Sequence, residues 1–176
     1  REYAAALRKS ESESKFIRNS ERFPLTGVGD VNYYAVFAEL ARALISKEGR
    51  SGIIVPSGIA TDYTYKDFFA SIIARGNLVS LFDFENRKGY FPGVHREQKF
   101  CLLTLSGPSS RPIDFAFFLT QTPQLRNSDH LFTLSREDLE LINPNTKTCP
   151  IFRTKKDAEL TRKLYRAAPV LVNEMT

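Results

Sequence analysis

The chain has 176 residues, 42% of them hydrophobic, and carries a formal net charge of +5. That length fits one domain, or half of a larger domain with an extension, and the apolar content suffices for a core. No apolar run has the length of a membrane-spanning helix, the two histidines and two cysteines form no zinc pattern, and the charge gives only a mild bias toward polyanions.

Residue 1 is Arg and the only methionine is Met175, so the sequence reads as a segment cut from a longer protein. Cys101 lies in an apolar run and reads as a small buried hydrophobe. It is far in sequence from Cys149, no CxxC occurs, and the pair is expected to stay reduced in a cytoplasmic setting.

Residues 1–20 read as a helix with Tyr3, Leu7, Phe16 and Ile17 as apolar positions, broken by a Ser/Glu run over 10–14. Phe23 to Gly29 is a loop with two glycines. Asp30 is a candidate N-cap for a helix carrying Tyr34, Phe37, Ala38, Ala41, Leu44 and Ile45, with Lys47 in its last turn and Gly49 as its left-handed cap. Gly52 to Pro56 is short, β-branched and bounded by Gly and Pro, the pattern of a buried parallel strand. Thr64 and Asp67 have capping-box spacing before Phe68, Phe69, Ile72 and Ile73, and Gly76 ends that helix.

Leu78 to Phe84, Lys99 to Leu105 and Asp114 to Leu119 read as strands, with a polar Gly/Pro loop over 86–97 between the first two. Ser135 caps a short helix ending before Asn143-Pro144. Thr154, with Asp157 three residues on, caps a longer one whose apolar side is Ala158, Leu164, Tyr165 and Ala168. The order is α/β at the start and a meander of strands later, followed by a helical tail.

Several of these segments carry a resemblance when read in order. Asn32-Tyr33-Tyr34-Ala35-Val36-Phe37, Gly52-Ile-Ile-Val-Pro-Ser-Gly-Ile-Ala-Thr-Asp62, Leu81-Phe-Asp-Phe-Glu-Asn-Arg87, Phe91-Pro-Gly-Val-His-Arg96, Asn143-Pro-Asn-Thr146 and Pro150-Ile-Phe-Arg153 together resemble the adenine-N6 DNA methyltransferases. The nearest kind is the large single-chain methylase of type IIG restriction-modification and related phage-defence systems. The resemblance implies the fold class α/β: a partial Rossmann-like methyltransferase sheet ending in an antiparallel hairpin, with an α-helical tail. Residues 1–120 would form the C-terminal half of the catalytic domain, and 121–176 an extension toward a DNA-recognition domain.

The resemblance further implies S-adenosylmethionine as cofactor, with double-stranded DNA and the remainder of the parent methylase as partners. That family holds the cofactor on a Gly-containing loop and the target amine on Asn-Pro-Pro-aromatic. This sequence has neither; Asn143-Pro144-Asn145 lacks the second Pro and the ring. The catalytic motif is therefore expected outside this chain, and the segment alone is expected to be inactive.

Methylating a base within a duplex requires extruding it. The implied base-holding residues are Phe91, with Tyr90 second, and Asn32, Tyr34, Pro56 and Ser57. Arg87, Lys88, His95, Arg96 and Lys99 are the candidate phosphate contacts. Simpler roles stand beside these: Phe91 as a core plug, Tyr34 as packing, and Arg87 to Arg96 as a solvated loop. Asp62 reads as ordering its loop, and Asp83, Glu85 and Asn86 as a polar cluster at a strand end without metal-ligand spacing. His95 has no carboxylate partner to make it a general base. An alternative function is a non-catalytic DNA-binding or assembly module, and the open edge of a half-sheet also allows a homo-oligomer. With the glycine loop missing, calorimetry of the chain with S-adenosylmethionine is expected to give no binding in the low-micromolar range; a low-micromolar isotherm would overturn that assignment.

Overall fold

The computed structural model describes residues 1–168 and Val170. Six helices and five strands follow in the order α1 (Glu2–Asn19), α2 (Tyr33–Leu44), β1 (Arg50–Pro56), α3 (Gly58–Thr61), α4 (Lys66–Ala74), β2 (Leu78–Glu85), β3 (Lys99–Ser106), β4 (Ile113–Leu119), β5 (Phe132–Leu134), α5 (Arg136–Ile142) and α6 (Lys155–Ala167). The strands form one mixed sheet in the order β1-β3-β2-β4-β5. β1, β2 and β4 run one way, and β3 and β5 run against them. The mixed α/β sheet, the β2–β3 antiparallel hairpin and the helical tail agree with the fold class expected from the sequence.

The sequence reading of β1 needs correction. β1 is not a buried parallel strand. The reversed β3 occupies the place between β1 and β2, so β1 pairs antiparallel with β3 and lies at the sheet edge. Val55 is buried, but Ile54, pointing to the opposite face, is 57% exposed. A continuous apolar run is the pattern of a strand covered on both faces, and here one face is open.

The core lies on one face of the sheet. Leu81, Cys101, Leu103, Leu105, Phe115 and Phe117 meet Ala35 and Ala38 of α2 and Phe68, Phe69, Ile72 and Ile73 of α4. Phe115 and Phe117 stack at 6.0 Å between ring centroids, and Phe132 joins them at 6.1 Å from each. The opposite face carries a smaller cluster of Phe84, Ala116 and Leu119 beneath Phe82, Phe100, Leu102, Leu125 and Leu131.

Helix ends show where local rules were overridden. α2 starts at Tyr33 with Asn32, not Asp30, at the cap position; Asn32 sends its amide to the Asp30 carbonyl (3.1 Å) and the Tyr65 hydroxyl (3.2 Å) instead of capping the helix. α2 stops at Leu44, so Lys47 and Gly49 lie in the turn beyond it, and Gly49 does not adopt positive φ. Thr64 and Asp67 form no capping box, because a 3-10 turn over Tyr63–Tyr65 delays α4 to Lys66. Gly76 does close α4: at φ +65° it donates to the Ile73 carbonyl, and Asn77 donates to Ile72, a Schellman termination. On α1 only Ile17 is buried; Tyr3, Leu7 and Phe16 face outward.

Buried charges fix the remaining pieces. Glu39 of α2 accepts the backbone N–H of Thr26 (3.0 Å) and its hydroxyl (2.7 Å), tying the loop after α1 to the core. Both tail helices begin at the caps read from sequence, Ser135 and Thr154; Thr154 closes a box with Asp157, and Ser135 closes one with Asp138 that the sequence reading did not name. Asp138 also receives Arg166 at 2.9 Å and Arg162 at 3.4 Å, which fastens α6 to α5. Of the apolar side expected on α6, Ala158 is buried while Leu164 is 58% exposed. Residues after 120 contribute Phe132, Leu134, Leu139, Ile142, Cys149 and Phe152 to the main core.

Burial pushes the Asp138 carboxyl up, but the Ser135 backbone N–H and the Arg162 guanidinium outweigh it and hold its pKa below the ordinary 3.8. A depressed folded pKa means stabilisation that is complete above the unfolded value and is lost as pH falls through the folded one. Asp138→Asn is therefore expected to lower Tm at pH 7 by roughly 3–8 °C, with the gap to the wild type shrinking as the pH is taken progressively below the ordinary 3.8. Circular dichroism melts across that pH range check this, and a gap independent of pH would contradict it.

Candidate functional site

Strands β1 and β2 end side by side across β3, and their ends are tied by a buried carboxyl. Ser57, just beyond β1, donates its hydroxyl to Asp83 of β2. The other Asp83 oxygen accepts the Phe118 backbone N–H from β4 at 3.4 Å. Desolvation raises the Asp83 pKa, and the Ser57 hydroxyl, the Phe118 N–H and the nearby Lys99 charge offset only part of that rise. Phe118 sits at φ +58°, uncommon for a bulky residue, where β4 bulges against β2. Two cations lie over its ring, Lys99 Nζ at 4.7 Å and the Arg153 guanidinium carbon at 4.6 Å from its centroid.

Above this knot lies an open cleft of about 480 Å³, lined by Tyr34, Pro56, Ser57, Gly58, Thr61, Asp62, Glu97, Gln98 and Lys99. It opens at the C-terminal end of β1 beside the start of β3, and strand C-terminal ends are where open α/β sheets bind ligands. Tyr34, Pro56, Ser57 and Lys99, each singled out from sequence, thus meet at one place. Tyr34 packs edge-on against Tyr65, 5.7 Å between centroids, and burial followed by its bond to Tyr65 raises its hydroxyl pKa well above the ordinary 10.0. Asn32 contacts Tyr65 behind this wall rather than lining the cleft. Asp62 folds back over Gly58: a Cβ there would sit 2.3 Å from the Asp62 carboxylate.

The β2–β3 loop, residues 86–98, is organised by Asn86, which is fully buried. Its amide donates to the carbonyls of Phe91 and Val94, both at 2.9 Å, and its side-chain oxygen accepts the Phe91 N–H at 3.0 Å. Its own N–H bonds the Gln98 carbonyl, closing the loop's neck. From sequence Asn86 was only one member of a polar cluster. Its sole available signal was a short amide at the head of a Gly/Pro loop, the position where such side chains substitute for backbone partners.

Phe91 and Tyr90 do not line the cleft. Phe91 is 38% exposed and rests edge-on upon Phe100 at 5.0 Å, and Tyr90 meets Phe100 at 6.1 Å and Phe84 at 6.4 Å. Phe100 pairs in register with the cleft residue Pro56, so both rings stand near the cleft's rim on the sheet's second face. The basic candidates are divided. Arg87 is paired with Glu85. Arg96 lies over Gly89, which adopts φ +72°, and the His95 ring accepts the Glu97 N–H at 3.3 Å. Lys88 is exposed, and Lys99 points from the cleft to the Phe118 ring.

Both thiols are buried and free, and desolvation lifts Cys101 to about 12, which leaves it unionised and unreactive at neutral pH. Among the described residues no group of His, Cys, Asp and Glu is placed to hold a metal, and no helix is long and apolar enough to cross a membrane.

No family profile matches the sequence, and no curated protein does. Solved structures do match in fold. The type IIG restriction endonuclease BpuSI is similar with a TM-score of 0.53 and 20% identity, over 82% of this chain and 18% of that one. A type I restriction-modification system methyltransferase subunit from Streptococcus thermophilus is similar with a TM-score of 0.55 and 12% identity, over 77% of this chain and 33% of that one. The chain therefore has the fold of a segment found in restriction-modification proteins, and it spans between about a fifth and a third of their length.

Replacing Asn86 by Ala removes the loop's internal partner and strands the Phe91 N–H and the Val94 carbonyl. Asn86→Ala is expected to cost about 2–4 kcal/mol of stability and to open residues 87–97 to proteolysis. Urea unfolding and limited proteolysis measure both, and a resistant loop at wild-type stability would refute the assignment.

Proposed function

We propose that this chain is the target-base half of the catalytic domain of a DNA adenine-N6 methyltransferase belonging to a restriction-modification or phage-defence system. The observation that carries the reading is the placement of the cleft. It lies at the C-terminal end of β1 against residues 97–99 at the close of the return loop, whose half-exposed rings Tyr90 and Phe91 rest on Phe100, the register partner of Pro56. The likeness of fold to restriction-modification proteins supports the same reading.

S-adenosylmethionine would supply the methyl group. The residues present do not fit that cofactor: no glycine loop follows a strand here, and Gly58, the cleft's glycine, is closed over by Asp62. Cofactor binding and amine capture are therefore assigned to the remainder of the parent methylase, and no step of the chemistry is placed on this chain alone. What these residues do in the reading is hold and orient. An extruded adenine would enter the cleft against Tyr34 and Pro56, with the Phe91 ring, and Tyr90 behind it, swinging from the rim to cover its face. Ser57, fixed by Asp83, keeps the floor rigid, so that the base is held in a reactive position. Lys88, Lys99 and the loop residues Arg87, His95 and Arg96 are the proposed contacts to duplex phosphates.

The surfaces left open match a missing half. The outer edge of β1 has no strand partner, and α2 presents Tyr33, Phe37 and Leu44 to solvent, 54%, 63% and 75% exposed. Their proposed occupant is the cofactor-binding half of the same protein, and residues 121–176 are proposed to lead toward its recognition domain. Stacking on an aromatic ring is worth about 1–3 kcal/mol per base. Phe91→Ala in the full-length parent is accordingly expected to lower methylation about 5- to 150-fold, with Phe91→Tyr retaining most of it. Tritium transfer to a cognate duplex measures this, and wild-type turnover in the alanine variant would take Phe91 out of the mechanism.

A further inference from the structure

A second polar concavity lies at the other pole of the sheet, where β2 and β4 begin rather than where β1 and β2 end. The eight-residue β2 separates it from the cleft by roughly 26 Å. This groove, of about 430 Å³, is walled by Arg75, Arg111 and Arg136, with Ser109, Ser110 and the single carboxylate Glu137. Among the described residues neither Arg75 nor Arg111 has an acidic partner.

The walls are fixed before any ligand arrives. Gly76 packs so closely on the 107–112 loop that a Cβ would lie 2.1 Å from the Ser109 carbonyl oxygen, and Gly107 on the loop's far side meets the Lys47 carbonyl at 1.9 Å in the same sense. Ser109 donates its N–H to the Gly76 carbonyl at 2.9 Å, and its hydroxyl accepts the Arg111 N–H at 3.2 Å. Arg136 is held by the Ala74 carbonyl at 2.8 Å while its charge is shared with Glu140. Behind Arg75 stands a further cation, Arg42, half-buried against Asn77 at 3.0 Å. Burial, and after it the charge of Arg75, hold Arg42 below the ordinary arginine value. The Glu39 carboxylate acts on Arg42 in the opposite sense without cancelling this, and the repulsion between the two guanidinium groups is what an anion bound beside Arg75 would relieve. A planar, multi-donor guanidinium paired with serine hydroxyls suits the tetrahedral oxygens of a phosphate.

We propose that this groove is a phosphate-binding site, with Arg75 and Arg111 as its principal ligands and Ser109 and Ser110 as hydroxyl donors. It is separate from the cleft and does not depend on the methylase reading. The phosphate can arrive on a small nucleotide or as a phosphodiester of a nucleic acid, and the experiment separates the two.

The full 176-residue chain is titrated with inorganic phosphate, with a nucleoside triphosphate and with a short DNA duplex, following the amide signals of Gly76 and Ser109 to Arg111. Saturable shifts confined to those residues are expected. Arg75→Ala/Arg111→Ala should weaken binding about tenfold or more. The control Arg8→Ala/Lys9→Ala, which removes the same charge from the exposed α1, should change it less than twofold. Tighter binding of the triphosphate than of the duplex assigns the site to a nucleotide, and the reverse order assigns it to a nucleic-acid backbone. Absence of saturable shifts at Gly76 and Ser109 with all three probes, or equal weakening in both double variants, overturns the proposal.

Discussion

The Asp83 carboxyl joins three strands at one point. It receives Ser57 from the end of β1 and the Phe118 N–H from the bulge of β4, and it lies close to Lys99 at the start of β3. Without a tie across β3, the ends of β1 and β2 would have no direct connection, because β3 stands between them along its whole length. The cleft's floor, the positive φ of Phe118 and the stacking of Lys99 and Arg153 on its ring all follow from that junction. Burying a carboxyl is costly, and here hydrogen bonds from Ser57 beyond β1 and from Phe118 of β4 offset part of the cost.

The reversed strand has a second consequence. By separating β1 from β2 it sends β1 to the margin, where one row of backbone groups and the Ile54 side chain meet solvent. Natural sheets protect such margins with charge, proline or a covering element. β1 is flanked by Arg50 and ends at Pro56, but its middle, Gly52 to Ile54, carries no such guard. The exposed aromatic and leucine stripe on α2 is continuous in character with that margin, and α2 packs beside β1. The chain spans only part of the length of its structural neighbours, and the β1 margin and the exposed α2 side chains belong to elements that pack together.

The cleft and the arginine groove divide the labour of the sheet by its polarity. Strand ends of one sense gather Tyr34, Pro56, Ser57 and Lys99; strand beginnings gather Arg75, Arg111 and Arg136. Neither set is contiguous in sequence, so the spread of the +5 net charge along the chain does not reveal the groove. A modest overall charge is compatible with a strong local one when acidic residues are used elsewhere, as Asp138 is for Arg162 and Arg166 and Glu85 is for Arg87.

Local signals in the sequence determined whatever depends on near neighbours. The helix caps Ser135 and Thr154, the Gly76 termination, the apolar face of α4 and the existence of β2, β3 and β4 were legible because each rests on a few residues in succession. So was the α/β class with its return hairpin, since motif order along the chain mirrors the order of elements. Tertiary structure alone decided the rest. Only folding inserts β3 beside β1 and turns an apparently central strand into an edge, and only the neighbouring Tyr65 diverts Asn32 from capping its helix. Asn86 acquires its role from carbonyls five and eight residues away that the loop brings back to it, and the arginine groove from residues drawn together out of three separate segments. Periodicity and propensity record what a residue does with its own turn or strand, whereas partners across the fold are set by packing that no local pattern encodes.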